Sequence, residues 1–218
     1  MEWIILFLTF GILFLGELGD KTQLIVFNLA LEHKKSYKVG IGATIGFGVI
    51  VTIGVFFGTL ITSFIPIFIV TIISGIIFII IGILETRNLK KLYQERKRFR
   101  SNESIEKKEE VIEKTANENL PPILRKLKKN PYVAGFSFIF LMELGDKTQI
   151  LTITLASLYP HPFEVWLGSF LALTALAWIG VFFGAAITQK IPKFHLKLVS
   201  ALIFIFIGFL ILIMSLFI

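Results

Sequence analysis

Two short stretches hold most of the polar chemistry that lies within apolar sequence: GELGDKTQ at residues 16–23 and MELGDKTQ at residues 142–149. Each carries two carboxylates three residues apart, Glu17 with Asp20 and Glu143 with Asp146. Each adds a lysine (Lys21, Lys147) and the neutral oxygens of a threonine and a glutamine, Thr22 with Gln23 and Thr148 with Gln149. On a continuous helix a glutamate and a lysine four residues apart can pair, and acids three apart share a face. Facing one another, the two motifs would set four carboxylates against two lysines. One divalent cation or two protons would neutralise the excess negative charge. Carboxylate, hydroxyl and amide oxygens, with neither His nor Cys among them, suit a hard ion such as Ca2+ or Mn2+. The candidate ligands are therefore Glu17, Asp20, Glu143 and Asp146, with Lys21, Thr22, Gln23, Lys147, Thr148 and Gln149 completing the site.

The surroundings of these residues make them costly. WIILFLTFGILFL precedes the first motif and LIVFNLAL follows it. A lone Asp, Lys or Arg at the centre of a membrane helix costs about 2.5–3.5 kcal/mol on insertion scales. Six uncompensated charges would then cost on the order of 15–20 kcal/mol, more than a typical domain's whole stability. A purely structural charge clamp is a poor account, because apolar packing would join helices without the desolvation penalty. Gly19 and Gly145 stand between the Glu and the Asp of their motifs. As poor helix formers they predict local unwinding, with freed carbonyls offered to an ion as in broken transporter helices.

The elements that must hold these residues are membrane helices. Of 218 residues, 55% are hydrophobic and 23 are Phe, and the mean hydropathy is +0.82. Runs of about 20 apolar residues can cross a bilayer. The pattern predicts six spans, near Trp3–Leu31, Val39–Phe64, Ile67–Leu84, Val133–Ser157, Val165–Ile187 and Leu196–Ile218. Only Met1 and Glu2 precede the first run, so it lacks the basic start of a signal peptide and is expected to stay as a span. Absence of cysteine excludes disulfides and thiolate metal sites. Pairs of glycines four apart, Gly42 with Gly46, Gly54 with Gly58 and Gly180 with Gly184, read as close helix-packing faces. Thr52 and Ser200 are expected to bond to carbonyls of their own helices.

The sequence repeats itself. An offset of 126 residues aligns Phe10–Leu84 with Phe136–Leu210 without a gap, and 32 of 75 positions are identical, including ELGDKTQ and IGVFFG. This organises the chain as a three-helix repeat at 1–84, a charged linker at 85–130 and a second three-helix repeat at 131–218. A unit with an odd number of spans must enter the membrane from the opposite side the second time. Loop charges agree: 20 of 22 Lys and Arg fall on one side of the six-span layout, fourteen of them in the linker, and the other two are Lys21 and Lys147. The expected fold is thus an all-α polytopic membrane protein, six transmembrane helices in a 3+3 inverted repeat, with the linker cytoplasmic and both termini outside. The net charge of +7 is accounted for by this topology and by lipid head groups, and implies no nucleic acid. The layout is also compatible with a homo-oligomer.

The doubled E-L-G-D-K-T resembles the E-x-G-D-(K/R)-(T/S) signature of the Gdt-type calcium/manganese exchangers, relatives of the Golgi manganese/calcium transporter and of bacterial manganese exporters. The resemblance extends over the six-span layout and the polar central loop. It implies antiport of Ca2+ or Mn2+ against protons, with the cation carried by Glu17, Asp20, Glu143 and Asp146, and no cofactor. It also implies, with no N-terminal targeting extension before the first span, a multi-pass protein of a prokaryotic plasma (inner) membrane. The expected function is export of the divalent ion from the cytoplasm by alternating access around one midplane site. Three rivals are weaker. A channel would need a selectivity-filter loop, and none is evident; a membrane enzyme acting on lipid phosphate would need a His, Cys or Ser nucleophile beside the acids. An exporter of another small solute is the chief rival within transport.

Overall fold

The protein is described from a computed structural model covering residues 2–18, 20–99, 129–190 and 193–216. Eight α-helices run through the described residues, and no strand occurs among them: α1 (Trp3–Glu17), α2 (Lys21–Glu32), α3 (Ser36–Phe64), α4 (Ile67–Phe99), α5 (Pro131–Glu143), α6 (Lys147–Leu158), α7 (Pro162–Lys190) and α8 (Lys193–Ser215). Long runs of Leu, Ile, Val and Phe give no backbone competitor to the helix, and prolines punctuate the runs. Pro66 lies just before α4, and its carbonyl accepts from the backbone N–H groups of Ile69 and Val70. Pro131 opens α5, where a missing N–H costs nothing, and the Asn130 side chain caps the same helix by accepting from Tyr132 N at 3.1 Å.

Four stretches are long and apolar enough to cross a membrane: Ser36–Phe64, Ile67–Arg87, Pro162–Phe182 and Leu198–Ser215. The segments expected as the first and fourth spans are each two helices, α1–α2 and α5–α6, broken at the motifs where unwinding is expected. α1 has 15 residues and α5 has 13, so each reaches only about 20 Å, short of the roughly 30 Å hydrocarbon core. α4 runs on past the expected span end at Leu84 to Phe99, and residues 100–128 of the expected linker lie outside the described residues. Large side chains such as Ile4, Phe7, Phe56, Phe64, Phe182 and Phe206 stand exposed around the bundle. A surface of this kind belongs in lipid.

The helices pair across the two halves. α1 and α2 both lie on α7, α5 and α6 both lie on α3, and α3–α7 and α4–α8 pair in the middle. Each relation maps onto another, or onto itself, under the 126-residue offset. Glycines set the approach distance. A Cβ at Gly46 would meet Phe136 O of α5 at 3.1 Å, one at Gly54 would meet Thr152 of α6 at 2.9 Å, and one at Gly58 would meet Ala156 and Ile153 O at 2.6 Å. On α7, a Cβ at Gly168 would meet Leu6 O of α1 at 2.5 Å, and at Gly180 it would meet Gln23 O of α2 at 3.0 Å. These are packing faces, as the glycine spacing predicts; the surroundings of Gly184 lie outside the described residues. The α3–α7 pair is tied further by Trp166 Nε1 donating to Thr52 Oγ1 at 2.9 Å and Trp178 Nε1 donating to Thr44 Oγ1 at 3.2 Å. Apolar packing on this frame encloses Leu13, Ile50, Phe78, Ile139, Leu151 and Phe204.

Candidate functional site

Both motifs break their helices at the same place. Leu18 and Leu144 take extended backbone angles directly after the last helical glutamates, and Gly145 adopts φ +83°, a conformation L side chains rarely enter. Gly19 and the Lys21 side chain lie outside the described residues. Away from water, backbone groups released by a break need partners, and the motif glutamines supply some of them. Gln149 Oε1 accepts from Gly145 N at 2.6 Å, and Gln23 Nε2 donates to Glu17 O at 3.3 Å. Three successive carbonyls at the end of α1 are bonded by side chains: Leu15 O by Ser200 Oγ at 2.5 Å, Gly16 O by Lys147 Nζ at 3.1 Å, and Glu17 O by Gln23. Ser200 therefore serves a neighbouring helix, and Thr52 bonds within its helix to Gly48 O as expected.

The motifs meet through exchanged hydrogen bonds. Thr22 Oγ1 of the first motif donates to Glu143 Oε1 of the second at 2.7 Å, and Thr148 Oγ1 of the second donates to Glu17 Oε1 of the first at 2.8 Å. All four residues are buried, Glu17 at 5% and Glu143 at 2% exposure. Each threonine is the second residue of its helix, so the positive end of α2 approaches Glu143 and that of α6 approaches Glu17. Asp20 and Asp146 flank the pair within electrostatic reach of Glu143. Asp146 also caps α6, accepting from Lys147 N at 2.8 Å.

The lysine geometry differs from the helical expectation. The helix ends at Glu17, so no continuous turn links it to residue 21, and a lysine of the other motif, Lys147, faces Glu17. Its ammonium lies 3.7 Å from Glu17 Oε2, 3.2 Å from Asp20 Oδ2 and 2.7 Å from Glu85 Oε1. Glu85, buried near the end of the apolar part of α4, is the participant that motif reasoning missed. A signal was present: Phe78, Gly82 and Glu85 fall three and four residues apart along one helical face, and all are buried.

A small cavity opens beside the exchanged bonds, lined by Glu17, Thr22, Gln23 and Glu143 on its polar side and by Val26, Phe47, Leu173, Leu176 and Ala177 on the other. Its volume of about 10 Å3 corresponds to the space for one water-sized particle. Among the described residues, no group of three or more Asp, Glu, His or Cys is gathered tightly enough to hold a metal ion. Among the described residues, Glu17 and Asp20 both face the Lys147 ammonium.

An all-helical membrane protein with matching halves, whose buried acids meet across two broken helices, has the architecture of a carrier. A family model described as divalent cation/proton antiporter GDT1 matches residues 5–91 and again residues 131–217, once in each repeat, and the chain belongs to that family. Its members are transporters rather than enzymes. The chain is 29% identical over 194 residues to a GDT1-like protein of Synechocystis sp., covering 87% of each. It is 23% identical over 221 residues to a GDT1-like protein of Schizosaccharomyces pombe, covering 89% of this chain and 84% of the other. No solved structure matches it.

Proposed function

We propose that this antiporter exports Ca2+, Mn2+ or both from the cytoplasm in exchange for protons, by alternating access around one site shared by its two motifs. Glu17, Asp20, Glu143 and Asp146 take the cation as substrate. Lys21, Thr22, Gln23, Lys147, Thr148 and Gln149 balance, orient and close the site. The observation that carries this reading is the pair of exchanged bonds, Thr22 to Glu143 and Thr148 to Glu17. A cation drawn to either glutamate is drawn to both halves at once.

In this reading α1–α2 and α5–α6 are two broken spans and α3, α4, α7 and α8 are continuous ones, giving a 3+3 inverted repeat (1–84 and 131–218) about a cytoplasmic linker (85–130), with both termini outside a plasma membrane. The cation travels between half-helix ends near mid-membrane. Its departure leaves four carboxylates against two lysines, and protons are the counterpart that lets the emptied site reorient. Binding a divalent ion therefore expels protons, and an acidic exterior drives efflux. The deciding experiment reconstitutes the protein in liposomes and follows Ca2+, Mn2+, Mg2+ and Na+ flux with and without a pH gradient. Ca2+ or Mn2+ flux that saturates and drives proton counter-flux is expected. Flux indifferent to the pH gradient refutes proton exchange, and saturable flux of an organic solute alone refutes the cation.

A further inference from the structure

We propose that Lys147 is a built-in counter-cation of the exchange site and that Glu85, outside both motifs, is the positioning residue that receives its ammonium when the divalent ion enters. This rests on the site reading given above. Lys147 Nζ is surrounded by Glu85 Oε1 at 2.7 Å, Gly16 O at 3.1 Å, Asp20 Oδ2 at 3.2 Å and Glu17 Oε2 at 3.7 Å. Three carboxylates and a carbonyl surround one positive centre, spaced for an ammonium rather than gathered tightly enough for a metal ion. The ammonium thus offsets Glu17 and Asp20 while the ion is away. A divalent ion cannot take those two acids with the ammonium still between them, because like charges at this range in a buried site repel strongly.

The shortest contact shows where the ammonium goes. Lysine is a point charge on a flexible stem with rotatable donors, so it can release Asp20 and Glu17 and keep Glu85. Glu85 is suited to the task because it is buried at 6% exposure and comes from α4, a helix that carries no motif residue. It also has no repeat counterpart: 126 residues on stands Ile211. The contact of α4 with α6, where Glu85 meets Lys147, is likewise one-sided, since the equivalent pairing of α8 with α2 is not among the substantial helix contacts of the described residues. Two motifs alike in sequence are therefore unequal in service. The second motif's lysine has a carboxylate to retreat to, and the position that would serve the first motif's lysine is apolar.

Binding and transport of Mn2+ by the full-length protein test this in Glu85→Gln, Glu85→Asp, Lys147→Met and the Glu85→Gln/Lys147→Met double variant. Glu85→Gln should weaken Mn2+ binding about tenfold, a coupling within reach of contacting charges, because the ammonium then stays on Glu17 and Asp20. Glu85→Asp keeps the charge and should recover most of the affinity. In the Lys147→Met background Glu85→Gln should change affinity by less than about twofold, there being no ammonium to draw aside. Lys147→Met alone should lower both KM and kcat, binding the ion more tightly and returning the empty carrier more slowly. An unchanged affinity in Glu85→Gln overturns the proposal. So does an equal loss in both backgrounds, which would mean that Glu85 acts on the ion itself. Should Lys147→Met fail to fold, equal effects of Gln and Asp at position 85 overturn it. Absence of Mn2+ and Ca2+ binding by the unmodified protein overturns the site reading and this inference together; binding there, with the Glu85 effects missing, overturns this inference alone.

Discussion

Replacing Thr22 with Val keeps the side chain's size and removes one hydroxyl, so the loss can be assigned to a single bond. That bond, Thr22 Oγ1 to Glu143 Oε1, is 2.7 Å long and its glutamate is 2% exposed. Valine fills the same volume, and the space beside the bond admits at most one water-sized particle in the donor's place. Hydrogen bonds to charged groups contribute about 1.5–3 kcal/mol net, and a buried acceptor left unsatisfied sits at the upper end. Thr22→Val should therefore destabilise the protein by about 2–3 kcal/mol, lowering Tm by roughly 4–12 °C for a chain of this size. Thermal unfolding in detergent, followed by tryptophan fluorescence, reads this directly. The partner is identified by a double-mutant cycle. Thr22→Val combined with Glu143→Gln should show a coupling of about 1 kcal/mol or more, while Thr22→Val with Glu17→Gln, a pair within one motif, should be closer to additive. Coupling to Glu17 but not to Glu143 would refute the exchanged-bond geometry and remove the main support for a shared site.

Asp20→Asn and Asp146→Asn should each abolish cation transport in proteoliposomes while leaving a folded, membrane-inserted protein; near-normal activity in either would argue for two separate sites or none. Cysteines placed at Ser36 and His161 should label from opposite faces of the membrane, His161 from outside, and labelling of both from one face would rule out the inverted repeat. Gly58→Ala puts a methyl group within 2.6 Å of Ala156 and Ile153 O, so α3 and α6 must part; a loss of about 1–3 kcal/mol in thermal or denaturant unfolding is expected, against little change for Gly11→Ala, where nothing lies within 4 Å.

Local rules reached the helices, the glycine faces and the weak point between Glu and Asp, because each depends on residues close in sequence, and the repeat is legible by aligning the chain with itself. The charge pairing between the halves lies beyond those rules. The Leu18 backbone leaves the helix after Glu17, and where the halves cross Glu17 meets partners from the other motif. Thr148 and Lys147, more than a hundred residues away, are adjacent only through the packing of α1, α6 and α7. Glu85 escaped for another reason. It is the residue immediately after the gap-free alignment ends, and the charged sequence beyond it disguises a carboxylate that belongs to the apolar helix behind it.

The exchanged bonds also place the protein's assembly on a clock. Glu17 lies 131 residues ahead of the threonine that serves it, and at synthesis rates of about 5–20 residues per second that partner is made roughly 7–26 s later. Throughout that interval the leading half must hold a carboxylate in the bilayer without its eventual hydroxyl or ammonium neighbours. A newborn chain is therefore most open to misinsertion and quality control before α6 has left the ribosome. Substitutions that slow the arrival of α6 would lower the yield of protein without altering the finished fold.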